Sequence, residues 1–114
     1  MKTTVKSKTQ TSIADATFIV CDVETTGLSP HQGRITEISL IKIRDEEIVD
    51  KFTTLLNPRQ HIPAMITRLT GITNEDVMNK PTFEETAKRI ASFINDSGNS
   101  HTVFVGHNAL FDYS

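Results

Sequence analysis

The chain has a single cysteine, Cys21, so no intrachain disulfide can staple it. A lone thiol inside an apolar stretch is expected to be a buried structural residue of a reducing compartment, and the cytoplasm is the expected location. No apolar run approaches the roughly 20 residues that a membrane-spanning helix needs, so no membrane partner is expected. The first residues carry lysines with no hydrophobic segment behind them, which is not the pattern of a secretory signal. There is no excess of positive charge either: the formal net charge is −2. That argues against a generally basic nucleic-acid coat. It leaves room for chemistry on nucleic acid, because bound metal ions can neutralise phosphate locally. Internal repeats are absent.

What is present is the composition of an ordinary small globular domain, or part of one: 114 residues, 37% apolar and 23% charged. Residues 1–15 are rich in Thr, Lys and Ser without periodicity and are expected to form a flexible polar arm, with Lys2, Lys6 and Lys8 solvated. Residues 16–114 carry the structured unit. A first strand is expected over Thr17 to Val23, and a turn over Ser29 to Gly33. A second strand follows over Ile35 to Ile43, with apolar residues recurring at alternate positions over most of it. The charged stretch Arg44 to Glu47 reads as a hairpin turn, and Ile48 to Leu56 as the third strand. Short connections make these three neighbours antiparallel.

The middle of the chain is helical in pattern. A short helix is expected from Pro63 to Leu69, stopped near Gly71, and another begins near Thr73 to Asp76. The strongest helix signal is Phe83 to Ile94. Thr82 and Glu85 form a capping box, and Phe83, Ala87, Ile90, Ala91 and Ile94 are expected to line its buried face. Glu84–Lys88 and Glu85–Arg89 stand at the spacing of favourable pairs. A fourth strand over Thr102 to Gly106 comes next, then one turn of helix from Asn108. A strand reached through a helical crossover usually lies parallel to its neighbour. The expected fold is therefore α/β, a mixed sheet of three antiparallel strands joined by a parallel one.

Chemistry concentrates in Asp22-Val-Glu-Thr-Thr-Gly-Leu28. Alternate strand residues share a face, so Asp22 and Glu24 point one way while Cys21 and Val23 point the other. Charge placed at the end of an apolar strand needs compensation, and a hard divalent cation with oxygen ligands supplies it. An isolated Asp-x-Glu is usually just a pair of solvated acids. Here it is followed by two hydroxyls and a glycine, and a further acid, Asp112, stands after the fourth strand. If the fourth strand lies beside the first, Asp112 arrives near the other two.

These segments resemble the motifs of the DnaQ-like (DEDD) 3′–5′ exonucleases. Asp22-Val-Glu-Thr-Thr-Gly-Leu28 looks like their first motif, and Gly106-His-Asn-Ala-Leu-Phe-Asp112 like their second. Ile35-Thr-Glu-Ile38, Leu69-Thr-Gly-Ile72 and Lys80-Pro-Thr-Phe83 fit the link between them. The resemblance covers about residues 17–114, and is nearest to the polymerase III epsilon subunit and the exonuclease segment of PolC-type polymerases. It implies a ribonuclease H-like fold, two Mg²⁺ or Mn²⁺ ions, and hydrolysis at a single-stranded DNA 3′ end in proofreading or repair. A polymerase catalytic subunit is a further implied partner.

By the same resemblance, Asp22 would bridge both ions, Glu24 would hold the one carrying the attacking water, and Asp112 the other. Thr25, Thr26 and Gly27 would contact the terminal nucleotide, and Leu28 would wedge against a base. Met65 and Thr70 would approach the terminal base, although several relatives carry His where Thr70 stands. His107 and Asn108 would hold the turn after the fourth strand, with Asn108 near substrate and Phe111 packing. Glu37 is expected to point with Ile35 and Ser39 and to be a structural acid, and His31, His61 and His101 are expected to be solvated.

The family's third motif, with a fourth Asp and a His general base, has no counterpart in these residues. The chain is therefore expected to be an incomplete exonuclease domain with little or no activity alone and low stability. The alternatives are a non-catalytic module that docks on a polymerase or nucleic acid, and an RNA-directed exonuclease of the same family. A metal phosphatase is disfavoured, because the Asn108 to Asp112 segment lacks the pattern one would need.

Overall fold

The computed structural model describes residues 16–27, 29, 31–96 and 101–107. In chain order the elements are β1 (Ala16–Thr25), β2 (Ile35–Arg44), β3 (Glu47–Leu55), α1 (Ala64–Thr70), α2 (Asn74–Val77), α3 (Phe83–Asn95) and β4 (His101–His107). They form one four-stranded sheet of order β3-β2-β1-β4. β1 pairs antiparallel with β2, β2 antiparallel with β3, and β1 parallel with β4. The architecture expected from the strand and helix pattern is thus the one found.

The strand ends differ from expectation in a way that matters. β1 runs through Thr25 rather than stopping at Val23, because the ladder with β2 continues through Glu24 opposite Glu37. Both carboxylates therefore sit on paired, rigid backbone. The register then slips: Thr25 pairs with Ile35, leaving Thr36 as the extra residue of a β-bulge. The slip also turns Ile35 onto the core, where it packs beside the cluster around Ile19 and Leu40. It therefore does not point with Glu37, as plain alternation would have it. A second shift opposite Lys42 and Ile43 leaves Val49 extra in β3. The β2–β3 hairpin turns on Asp45 and Glu46, at φ 53° and 65°. Both central residues of a two-residue turn adopt this left-handed region when the turn must match strand twist.

One face of the sheet is covered by α3. Ile19, Ile38, Leu40, Leu56 and Ile90 form the core, with Cys21, Val23, Phe52, Phe93 and Ile94 packed against it. Cys21 is half-buried rather than fully enclosed. The capping box of α3 forms as expected: the Glu85 amide donates to the Thr82 hydroxyl at 3.1 Å, and the Thr82 amide to the Glu85 carboxylate at 2.9 Å.

The buried face of α3 is rotated from the expected one. Thr86, Ile90, Phe93 and Ile94 face inward, while Phe83, Ala87 and Ala91 are exposed. Three contacts explain the rotation. Thr86 can be buried because its hydroxyl donates to the Thr82 carbonyl at 3.0 Å. Phe93 is drawn inward by Phe52, at 6.1 Å between ring centroids, and by the ammonium of Lys42, 4.5 Å from its ring. Lys42 is itself buried, and its ammonium donates at 2.7 Å to the carbonyl of Asp96, the C-cap of α3. A cation is favoured at that helix end. Glu85 is engaged in the cap and Arg89 lies over the Phe52 ring at 4.9 Å, so the two serve separate contacts.

A second small core gathers Ile62, Ile66, Ile72 and Val77 under α1 and α2, with Leu55 beside it. Gly71 ends α1 in the left-handed conformation, φ 80°, and its amide donates to the Thr67 carbonyl. That is the backbone geometry for which a glycine is best suited.

Candidate metal centre and nucleic-acid site

β1 alternates cleanly, and its two faces have different tasks. Ile19, Cys21 and Val23 pack toward α3. Asp22 and Glu24 therefore stand on the opposite face, about 7 Å apart along the strand by ordinary rise. Asp22 is exposed and Glu24 is half-buried. Burial raises the Glu24 carboxyl above its ordinary pKa, and the neighbouring charges of Asp22 and Glu37 raise it further. A carboxylate in such surroundings gains most from a nearby cation. The same burial, with Asp22 alongside, pushes the Cys21 thiol up, as suits a structural thiol.

The parallel pairing brings β4 to the same place. Asp22 is in register with His107, the last residue of β4. β4 thus ends beside the acid pair. Asp112, Asn108, Phe111 and Leu28 lie outside the described residues. Among the described residues, no three side chains of ligand type converge into a metal cage. Asp22 and Glu24 supply an oxygen-only pair, which suits Mg²⁺ or Mn²⁺ and is incomplete without a further ligand.

The turn after Glu24 is held by its own hydroxyls. Thr25 is fully buried; its hydroxyl donates to the Gly27 carbonyl at 2.6 Å and accepts from the Gly27 amide at 3.3 Å. Thr26 is buried too; its hydroxyl donates to the side chain of Gln60 and accepts from the Arg34 amide at 3.0 Å. Both hydroxyls are thus committed within the fold, and the Thr26 amide likewise donates to the Arg34 carbonyl at 2.9 Å. Gly33 is required nearby, since a Cβ there would come within 2.9 Å of the Ser29 carbonyl oxygen.

Met65 and Thr70 lie on α1, away from β1 in sequence. Met65 is exposed. The Thr70 hydroxyl is turned to the backbone, donating to the Ile66 carbonyl at 3.0 Å and accepting from the Ile72 amide at 3.1 Å. Leu69 is even more exposed than Met65, 62% against 51%, and sits one turn further along the same flank. Its spacing of four from Met65 was the available signal. Gln60 was also not singled out by the sequence; a polar residue in a loop carries no mark of a partner thirty-four positions earlier. His31, His61 and His101 are exposed, as expected.

A mixed sheet with an acid pair on the strand that meets a parallel neighbour defines a ribonuclease H-like nuclease domain. A family model described as Exonuclease matches residues 19–114. PolC-type DNA polymerase III of Thermotoga maritima is 42% identical over 102 residues, which is 90% of this chain and 7% of that protein. That of Clostridium perfringens is 44% identical over 98 residues, 86% of this chain and 6% of that protein. The solved structure of exonuclease X in complex with 5′ overhanging duplex DNA matches with a TM-score of 0.65 at 30% identity, over 83% of this chain and 51% of that one. The chain belongs to this exonuclease family, of DnaQ and PolC type. It spans a small part of the PolC-type relatives and about half of exonuclease X.

Proposed function

We propose that the chain is the front portion of a 3′–5′ exonuclease that hydrolyses phosphodiesters at single-stranded DNA 3′ ends, in the setting of a DNA polymerase III. The observation that carries this reading is the placement of Asp22 and Glu24 on one sheet face, with the parallel strand β4 ending at His107 in register with Asp22. Similarity to PolC-type polymerases supports the replicative setting. The neighbour bound to duplex DNA supports DNA as the class of substrate.

Asp22, Glu24 and Asp112 would hold two Mg²⁺ or Mn²⁺ ions, which supply a low-pKa water and stabilise the departing oxygen in such reactions. The carboxylates of Asp22 and Glu24 do the holding from paired backbone, so their spacing is fixed before any ligand arrives. The turn at Thr25 to Gly27, held in shape by the Thr25 and Thr26 hydroxyls, would lie against the terminal nucleotide. Met65 and Leu69 offer apolar surface suited to a base. Asp22, Glu24 and Asp112 would account for three of the family's four acids.

The test is a 5′-labelled single-stranded DNA incubated with Mg²⁺ and the native polypeptide that carries this chain, its mass measured beforehand. A ladder shortened from the 3′ end, lost in Asp22→Ala and lost with chelator, is the expected result. A ladder unchanged in Asp22→Ala overturns the reading.

A further inference from the structure

Glu37 stands directly across the β1–β2 ladder from Glu24, and Asp22 is paired with Ser39 two residues along the same strand. All three acids therefore belong to the face of the sheet away from α3. Directly opposed residues in an antiparallel pair bring their Cβ atoms to about 4.5–5.5 Å, and like charges placed so destabilise the sheet. Glu37 is half-buried, which keeps part of its charge from solvent. No described residue offers its carboxylate a hydrogen bond or an ion pair. A strand end would be more stable with almost any neutral residue at this position. The repulsion is useful only where a cation enters, and the neighbouring acids are those proposed to receive one.

Resting on the metal reading proposed above, we infer that Glu37 is a positioning residue of that site: it acts through Glu24, from outside the ion's direct ligands, by adding charge that draws the cation in. Its place is on the neighbouring strand β2, across the ladder from Glu24 rather than on β1 with the acid pair.

The experiment is calorimetric titration of the chain with Mn²⁺, with thermal melting of the metal-free chain alongside. Glu37→Gln is expected to melt higher without metal and to bind Mn²⁺ about tenfold more weakly. Glu37→Asp, which keeps the charge, is expected to retain most of the affinity. If Glu37→Gln melts lower, or does not fold, with Mn²⁺ affinity unchanged in Glu37→Asp, Glu37 is a structural acid and the inference fails. Unchanged Mn²⁺ affinity in a folded Glu37→Gln also overturns it, while leaving the metal site itself standing. Failure of the unsubstituted chain to bind Mn²⁺ overturns both.

Discussion

The hydroxyl of Thr26 donates to the side-chain carbonyl of Gln60, thirty-four residues further along the chain. The other end of that amide donates to the Gln32 carbonyl at 3.2 Å. The loop after β3 is thereby pinned to the turn that leaves the acid strand, and the turn's shape depends on both segments. Thr26→Val removes a buried hydroxyl that serves two partners and is expected to cost about 1–3 kcal/mol. Gln60→Ala, at an exposed position, is expected to cost about 0.5–1.5 kcal/mol. Urea unfolding of the two variants measures this; a larger loss in Gln60→Ala would contradict the ranking.

Thr36 gives the opposite sign. Its hydroxyl is buried at the β1–β2 bulge and has no hydrogen-bond partner among the described residues. Valine has nearly the same shape and suits a strand. Thr36→Val removes the cost of an unpaired buried group and is expected to raise stability by about 1 kcal/mol. A destabilised Thr36→Val in the same unfolding measurement would show that the hydroxyl has a partner after all.

Asp76 sets an acid-side limit. The Thr73 backbone amide, and then the Thr73 hydroxyl, hold its carboxyl below the ordinary carboxylate value. Protonation is therefore easier in the unfolded chain, so this contribution is fully present above the ordinary value and lost as pH falls through the folded-state value. The capping box of α2 is the structural origin. Asp76→Ala is expected to melt below the unsubstituted chain at neutral pH, with the gap closing in acid. A gap that stays constant or widens as pH falls would rule out this account.

Much of the architecture was legible because the apolar alternation of β1 and β2 and the Thr82–Glu85 cap are local signals. The crossover through α3 then dictated the parallel β4. What escaped is what depends on distant partners. The inward rotation of α3 rests on Lys42 and Phe52, which approach Phe93 only after the sheet forms. The bulge at Thr36 shifts the strand's two-residue period by one position, and with it the side to which Ile35 points. In the site, Asp22 and Glu24 were readable from strand periodicity. That Glu37 opposes Glu24 was not, because it depends on the register between two strands. The commitment of the Thr25 and Thr26 hydroxyls to the turn likewise depends on Gly27, Arg34 and Gln60 folding around them.

The most direct measurement is anomalous diffraction from Mn²⁺-soaked crystals of the chain, compared with the same crystals of Asp22→Asn. The account predicts an ion held by carboxylate oxygens of Asp22 and Glu24 in the first, and none there in the second. An empty Asp22–Glu24 face at saturating Mn²⁺, or an ion bound only elsewhere on the molecule, would contradict it.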